Sequence, residues 1–299
     1  MHRALFCFGL GYSAQALARD LASAEGWRVG GTVRSRGKAE ALRQDGLQTI
    51  VYDVSALDAE AEAHVADALN DATHILISVP PTESGDPVLH AWGARLAAAA
   101  PRLRWIGYLS TTGVYGDHQG AWVDEDTPAT PTSARGRRRV EAEAAWASAA
   151  QRIGARLRVF RLAGLYGPGR NPLETLRRGE GRRIVKPGQV FSRIHRDDIA
   201  AALKAALAQD AAGPMARTYN LCDDEAAPPQ DVTAFAAELL GVTPPPEIPY
   251  ETADLSPMAR SFYADNKRVR NDRIKLELGF RLKYPTYREG LRDIRAGLV

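Results

Sequence analysis

The chain has 299 residues, 45% of them apolar, and its 39 basic and 36 acidic side chains leave a formal charge of +3. That length and apolar content suffice for one large α/β domain or two closely packed ones, and they exclude a mainly disordered chain. Near-balanced charge argues against a nucleic-acid footprint, and the spacing of Cys7 and Cys222 matches neither a disulfide framework nor a metal site, so no metal and a reducing, cytoplasmic setting are expected.

The apolar start, Ala4 to Leu10, is too short to span a membrane and reads as a buried strand; no membrane segment is expected elsewhere. Further strands are predicted at Arg28–Val33, Thr49–Tyr52, His74–Val79 and Arg104–Leu109, with helices filling the gaps. Such βαβα alternation implies a parallel sheet covered on both faces, a Rossmann-type doubly wound α/β fold. A helix over Arg138–Ile153 and a strand at Leu157–Arg161 follow, then glycines and prolines from Gly164 to Pro172. Asp197–Ala208 and Val232–Leu240 read as helices, and Arg217–Cys222 as a strand. The expected division is a dinucleotide-binding domain over 1–165 and 194–222, interleaved with a smaller C-terminal substrate domain over 166–193 and 223–299.

Directly after the first strand stands Gly9-Leu10-Gly11-Tyr12-Ser13-Ala14, a G-x-G-x-x-A turn opening a helix near Ser13. Gly9 permits the tight turn, Gly11 clears space for a pyrophosphate, and Ala14 lets helix and strand pack closely. The helix start then presents N–H groups and partial positive charge to phosphate. At the end of the second strand, where an acidic residue would accept the ribose hydroxyls of NAD(H), this chain has Arg34-Ser35-Arg36. Arginine holds a 2′-phosphate that a carboxylate would repel, so NADP(H) is the expected cofactor ahead of NAD(H). Asp53 is the candidate partner of the adenine amino group, and Val79-Pro80-Pro81 the candidate apolar wall.

Later segments resemble the extended short-chain dehydrogenase/reductase superfamily, the NAD-dependent epimerase/dehydratase group. They are Ser110-Thr111-Thr112-Gly113-Val114-Tyr115-Gly116, Arg161 with Tyr166-Gly167-Pro168-Gly169, Ile194-His195-Arg196-Asp197-Asp198-Ile199, Tyr219-Asn220-Leu221 and Leu278-Gly279-Phe280. The resemblance implies an active Y-x-x-x-K pair at a fixed distance before a helical glutamate. Counting back from Glu141 places Ser133 and Arg137 there instead, so neither the phenol nor the lysine is present. It also implies a substrate-polarising hydroxyl at Thr111 and an active-site position near Asp86. Thr112 and Gly113 stand where a 4,6-dehydratase carries its acid pair, which disfavours that elimination. Tyr115, Tyr166, His195 and Asp86 are candidate replacement acids, and Tyr166, Arg170 and His195 are also candidate substrate contacts.

The expected function is an atypical NADP(H)-dependent oxidoreductase or epimerase acting on a polar, sugar-nucleotide-like small molecule. The alternative is a non-enzymatic NADP(H) redox sensor that binds a protein partner. The basic run Arg135 to Arg139 reads as a solvated helix start, and homodimerisation through helices flanking the sheet is an open expectation.

Overall fold

The computed structural model describes residues 3–56, 58–98 and 102–298. Residues 1–2, 57, 99–101 and 299, all inside the domain bounds expected from sequence, lie outside the described residues. Strand β1 (Arg3–Phe8) leads into α1 (Tyr12–Ala22), followed by β2 (Trp27–Val33), α2 (Arg36–Gln44), β3 (Gln48–Val51), α3 (Ala59–Asp71), β4 (His74–Ile77), α4 (Pro87–Ala98) and β5 (Trp105–Thr111). A 3-10 turn (Thr112–Tyr115) and β6 (Trp122–Val123) precede the long helix α5 (Ala134–Ile153), then β7 (Arg156–Leu162), β8 (Gly164–Tyr166), α6 (Pro172–Arg177), β9 (Arg183–Val185), β10 (Arg193–His195), α7 (Arg196–Ala208) and β11 (Ala216–Leu221). The chain continues through α8 (Pro229–Leu240), β12 (Glu247–Pro249), α9 (Pro257–Tyr263), β13 (Arg268–Val269), α10 (Asp272–Leu278) and α11 (Tyr287–Ala296).

The central sheet has seven strands in the order β11-β7-β5-β4-β1-β2-β3. Strand β1 pairs in parallel with both β2 and β4, β2 with β3, and β4 with β5. Parallel neighbours need long crossovers, which α1 to α4 supply. The crossovers run to one side of β1 for β2 and β3 and to the other for β4 and β5, so the carboxyl end of β1 is a topological switch point, where open α/β sheets bind ligands. Gly31 lets β1 and β2 approach: a Cβ there would lie 2.3 Å from the Cys7 carbonyl oxygen.

The chain separates into two compact units. The first comprises Met1–Ser110, Arg138–Arg161 and Ile199–Tyr219; the second comprises Thr111–Arg137, Leu162–Asp198 and Asn220–Val299. This division differs from the sequence expectation chiefly at 111–137, which joins the second unit. The first unit is built on Phe6, Phe8, Ile75, Ile77, Ile106 and Tyr108 of the sheet, packed against Val65, Trp92 and Trp146. In the second, Tyr166 and Leu173 pack against Val232, Tyr287, Leu291 and Ile294. Helix α11 was not anticipated. It starts with a capping box in which the Thr286 and Glu289 side chains satisfy each other's backbone N–H region, and its buried Tyr287, Leu291 and Ile294 recur at helical spacing.

Helix α5 begins at Ala134, four residues before the predicted start at Arg138. The reason is a cap: the Ser133 hydroxyl oxygen accepts a bond from the Gly136 N–H at 3.1 Å. Arg135 and Arg137 therefore lie in the first turn of a helix.

Candidate functional site

In the first unit the glycine turn is built as its sequence requires. Gly9 has φ +83°, in the left-handed region, and a Cβ there would meet Val79 Cγ2 at 3.1 Å. The Gly9 N–H donates to Thr32 Oγ1 at 2.9 Å, and the Leu10 N–H to the Thr32 carbonyl at 2.7 Å, which lash the turn to β2. Gly11 stands at the N-cap of α1 and brings no side chain to close the helix start. A Cβ on Gly11 would lie 3.4 Å from Ser78 Oγ. Tyr12 is half-buried, and Ser13 and Ala14 are buried at the base of the helix. The turn thus fits a phosphate-bearing dinucleotide on geometry and on the helix's N-terminal charge.

Beside it, Arg34, Ser35 and Arg36 are exposed at the end of β2. Ser35 occupies the N-cap of α2 without a side-chain capping bond, and no acidic residue stands in the first turn of that helix. Partial burial, and then the nearby charges of Arg34 and Arg19, hold the Lys38 ammonium below its usual range. Arg34 and Lys38 therefore share one cationic patch. Asp53 faces the same patch; bonds from the Ser55 hydroxyl and N–H, and then the charge of Arg34, keep its carboxyl below the usual range. Val79 is half-buried against the turn and Pro80 is exposed.

Asp86 has a different place. Its Oδ1 accepts from the Val88 and Leu89 N–H groups, both at 3.0 Å, and its Oδ2 accepts from Trp146 Nε1 at 3.0 Å, so this buried carboxylate caps α4. Both oxygens of the carboxylate are thus engaged with α4 and α5. The helical glutamate that meets Arg161 is Glu143 and not the exposed Glu141: Arg161 Nη2 donates to Glu143 Oε2 at 2.8 Å, and the Ser110 hydroxyl donates to Oε1 at 2.5 Å. Shifting the same count to Glu143 places Arg135 and Arg139 where Glu141 placed Ser133 and Arg137. On either count the pair is neither tyrosine nor lysine. Arg139 is turned inward, donating to the Leu109 carbonyl at 2.7 Å and to the Tyr108 hydroxyl at 3.1 Å.

The second unit contains a cavity of about 610 Å³ lined by, among others, Thr111, Ser133, Tyr166 and Arg170. The structure thus brings these four expected residues together, while Tyr115, Arg137 and His195 do not line it. Thr111 Oγ1 accepts from the Gly113 N–H at 3.1 Å, which opens the 3-10 turn. The Tyr115 ring is fully buried and its hydroxyl donates to Asn220 Oδ1 at 2.8 Å, a packing role. Arg137 is exposed and folds back onto the Thr132 carbonyl at 3.0 Å. Burial pushes the Tyr166 phenol well above its ordinary range, the wrong direction for an acid/base working near neutrality. Burial also raises both cysteine thiols, Cys7 to about 12, so neither is an activated nucleophile. Among the described residues no His, Cys, Asp or Glu cluster could hold a metal ion, and no helix is long and apolar enough to cross a membrane.

His195 lies behind Tyr166, with ring centroids 5.1 Å apart, and 4.2 Å from the Tyr284 ring. Its Nδ1 accepts from the Asp197 N–H at 3.2 Å. Burial lowers the imidazole from 6.5 to about 4. The folded state therefore binds fewer protons than the unfolded chain between those values, and this stabilisation, complete above pH 6.5, is lost as the pH falls toward 4. Asp198 acts in the opposite sense: burial raises its carboxyl from 3.8 to about 6, although it accepts from the Lys283 and Tyr284 N–H groups. An NMR titration of the His195 ring is expected to find it neutral down to about pH 4, and a midpoint near 6.5 would contradict the burial argument.

Comparison with known proteins decides the family. The model of the NAD dependent epimerase/dehydratase family matches residues 9–222. The chain belongs to this family. Protein YeeZ of Escherichia coli (strain K12) is 31% identical over 282 residues, covering 93% of this chain and 94% of its own. The structure of a functionally unknown conserved protein from Silicibacter pomeroyi DSS is 54% identical, with TM-score 0.89 and 99% of both chains covered. A UDP-glucuronic acid 4-epimerase from Bacillus cereus, solved with a fluorinated UDP-sugar and NAD, shares the fold at TM-score 0.76 with 16% identity, covering 99% of this chain and all of its own. Within this epimerase/dehydratase family member, the sequence reading left out Glu143, the partner of Arg161, and the cavity-lining Arg193, Asp265 and Lys267. Glu143 was overlooked for Glu141, and the other three sit in short polar stretches without periodicity.

Proposed function

We propose that this family member is an NADP(H)-dependent oxidoreductase or epimerase-like enzyme with a polar small-molecule substrate. The observation that carries the cofactor preference is the cationic patch of Arg34 and Lys38 beside the uncapped start of α2, which suits a 2′-phosphate. The glycine turn would hold the pyrophosphate, Asp53 the adenine edge, and Val79 and Pro80 an apolar wall. NAD in the Bacillus cereus epimerase supports a dinucleotide in this fold. When bound, the nicotinamide supplies hydride exchange. The protein's own part is to orient the substrate in the second unit's cavity, where Thr111 offers a hydroxyl and basic side chains offer charge.

Calorimetric titration of the cofactor-stripped protein tests this. NADPH is expected to bind, with NADH at least about tenfold weaker, a difference of about 1.4 kcal/mol. Failure of NADPH, NADP⁺ and NADH alike to bind would overturn the proposal. The missing phenol and lysine favour one other reading, the redox sensor, which requires a large difference between NADPH and NADP⁺ affinity and no turnover.

A further inference from the structure

The cavity of the second unit is strongly asymmetric in charge. Its described lining residues include five cations, Arg135, Arg170, Arg182, Arg193 and Lys267, and one carboxylate, Asp265, while Asp223 and Glu225 outside the lining act on Arg193. Arg193 spends one nitrogen, Nη1, on the Phe191 carbonyl at 2.7 Å and the Ala227 carbonyl at 3.0 Å, leaving the rest of its fork without a protein acceptor among the described residues.

Lys267 differs from the arginines in being held rigidly by its own chain segment. The Asn266 N–H donates to Asp117 Oδ1 at 2.8 Å, and the Asn266 carbonyl accepts from the His118 and Gly120 N–H groups at 3.0 and 2.9 Å. One residue later β13 pairs in parallel with β6, and the Arg268 N–H donates to the Ala121 carbonyl at 2.9 Å. The lysine between these anchors has a side chain only 10% exposed. Its Nζ donates to the Gly116 carbonyl at 2.7 Å, while Asp265 Oδ2 stands 3.5 Å away, a long contact that leaves the third N–H unspent.

We infer that this cavity receives an anionic carbonyl compound and that Lys267 is its acid/base residue, in place of the phenol that the chain lacks. The inference deepens the proposed function and rests on it for the reaction in which the residue serves. As negative charge develops on the carbonyl oxygen, the ammonium gives that oxygen a proton: one O–H bond forms, one N–H bond breaks, and the lysine is left as a neutral amine that takes the proton back in reverse. The groups that face Lys267 are Asp265 and Asp117, both of which favour its charged form. Burial outweighs them and holds the ammonium below its ordinary 10.5.

The test is reductive trapping of the full-length protein with pyridoxal 5′-phosphate, an anionic aldehyde, and borohydride, with adducts located by mass spectrometry. Lys267 is expected to carry the dominant, saturable adduct, formed with a pH midpoint below the ordinary lysine value of 10.5. Neutral pyridoxal is expected to give at least about tenfold less of it. Reaction confined to surface lysines such as Lys204 and Lys275, or a midpoint at or above the ordinary value, overturns the inference; equal reaction with pyridoxal overturns its anionic half. Lys267→Arg keeps a donor for Gly116 but cannot form the imine, so its adduct should vanish. If that variant does not fold, the wild-type site map and pH profile decide alone. NADPH titration of the same preparation reads the cofactor proposal separately, because trapping needs no dinucleotide.

Discussion

Arg34→Ala is expected to weaken NADPH binding by about ten- to a hundredfold while leaving NADH affinity within about twofold. The magnitude follows from losing charge-assisted hydrogen bonds to a phosphate, worth about 1.5–3 kcal/mol. The selectivity follows from position: Arg34 is exposed at the end of β2, beside the start of α2, and NADH has no 2′-phosphate for it to hold. Lys38 complicates the size of the effect. It stands in the same cationic patch as Arg34 and still offers its ammonium to the phosphate when the arginine is removed, so it compensates in part. The double variant Arg34→Ala/Lys38→Ala should therefore lose more than the first change alone. Isothermal titration of the three proteins checks this. An unchanged NADPH affinity, or an equal loss for NADH, would place the phosphate contact elsewhere.

Glu143→Leu is expected to destabilise the fold by about 3–5 kcal/mol, the cost of breaking a buried ion pair from one side. Both partners of the Glu143–Arg161 pair are only 11% exposed, so water cannot replace what is lost. The carboxylate also accepts from the Ser110 hydroxyl and thereby ties α5 to β5 as well as to β7. Glu143→Gln keeps an acceptor of similar shape and should fall between wild type and leucine. Urea unfolding followed by fluorescence reads the series, and a leucine variant within about 0.5 kcal/mol of wild type would mean that the pair contributes nothing net. Ser110→Ala isolates the hydroxyl's share.

Much of the first unit is legible in the amino-acid sequence. The alternation of buried strands and helices, the turn from Gly9 to Ala14 and the arginines after β2 are local signals, set by side-chain periodicity and by which residues a tight turn tolerates. The box at Thr286 and Glu289 is an equally local signal for the start of α11.

The doubly wound sheet and the place of the glycine turn at its switch point follow from local sequence signals alone. The rest of the site depends on how the elements pack. Glu141 and Glu143 lie about 200° apart around a helix, so which one meets Arg161 depends on the rotation of α5, set by the burial of Ala142, Trp146 and Ala149. Tyr115 turned out to spend its hydroxyl on Asn220, 105 residues away, and Lys267 reached the carbonyl of Gly116 across 151 residues. Contacts of that separation leave no periodic trace in the chain, because they arise only when packed elements bring distant segments within hydrogen-bond reach.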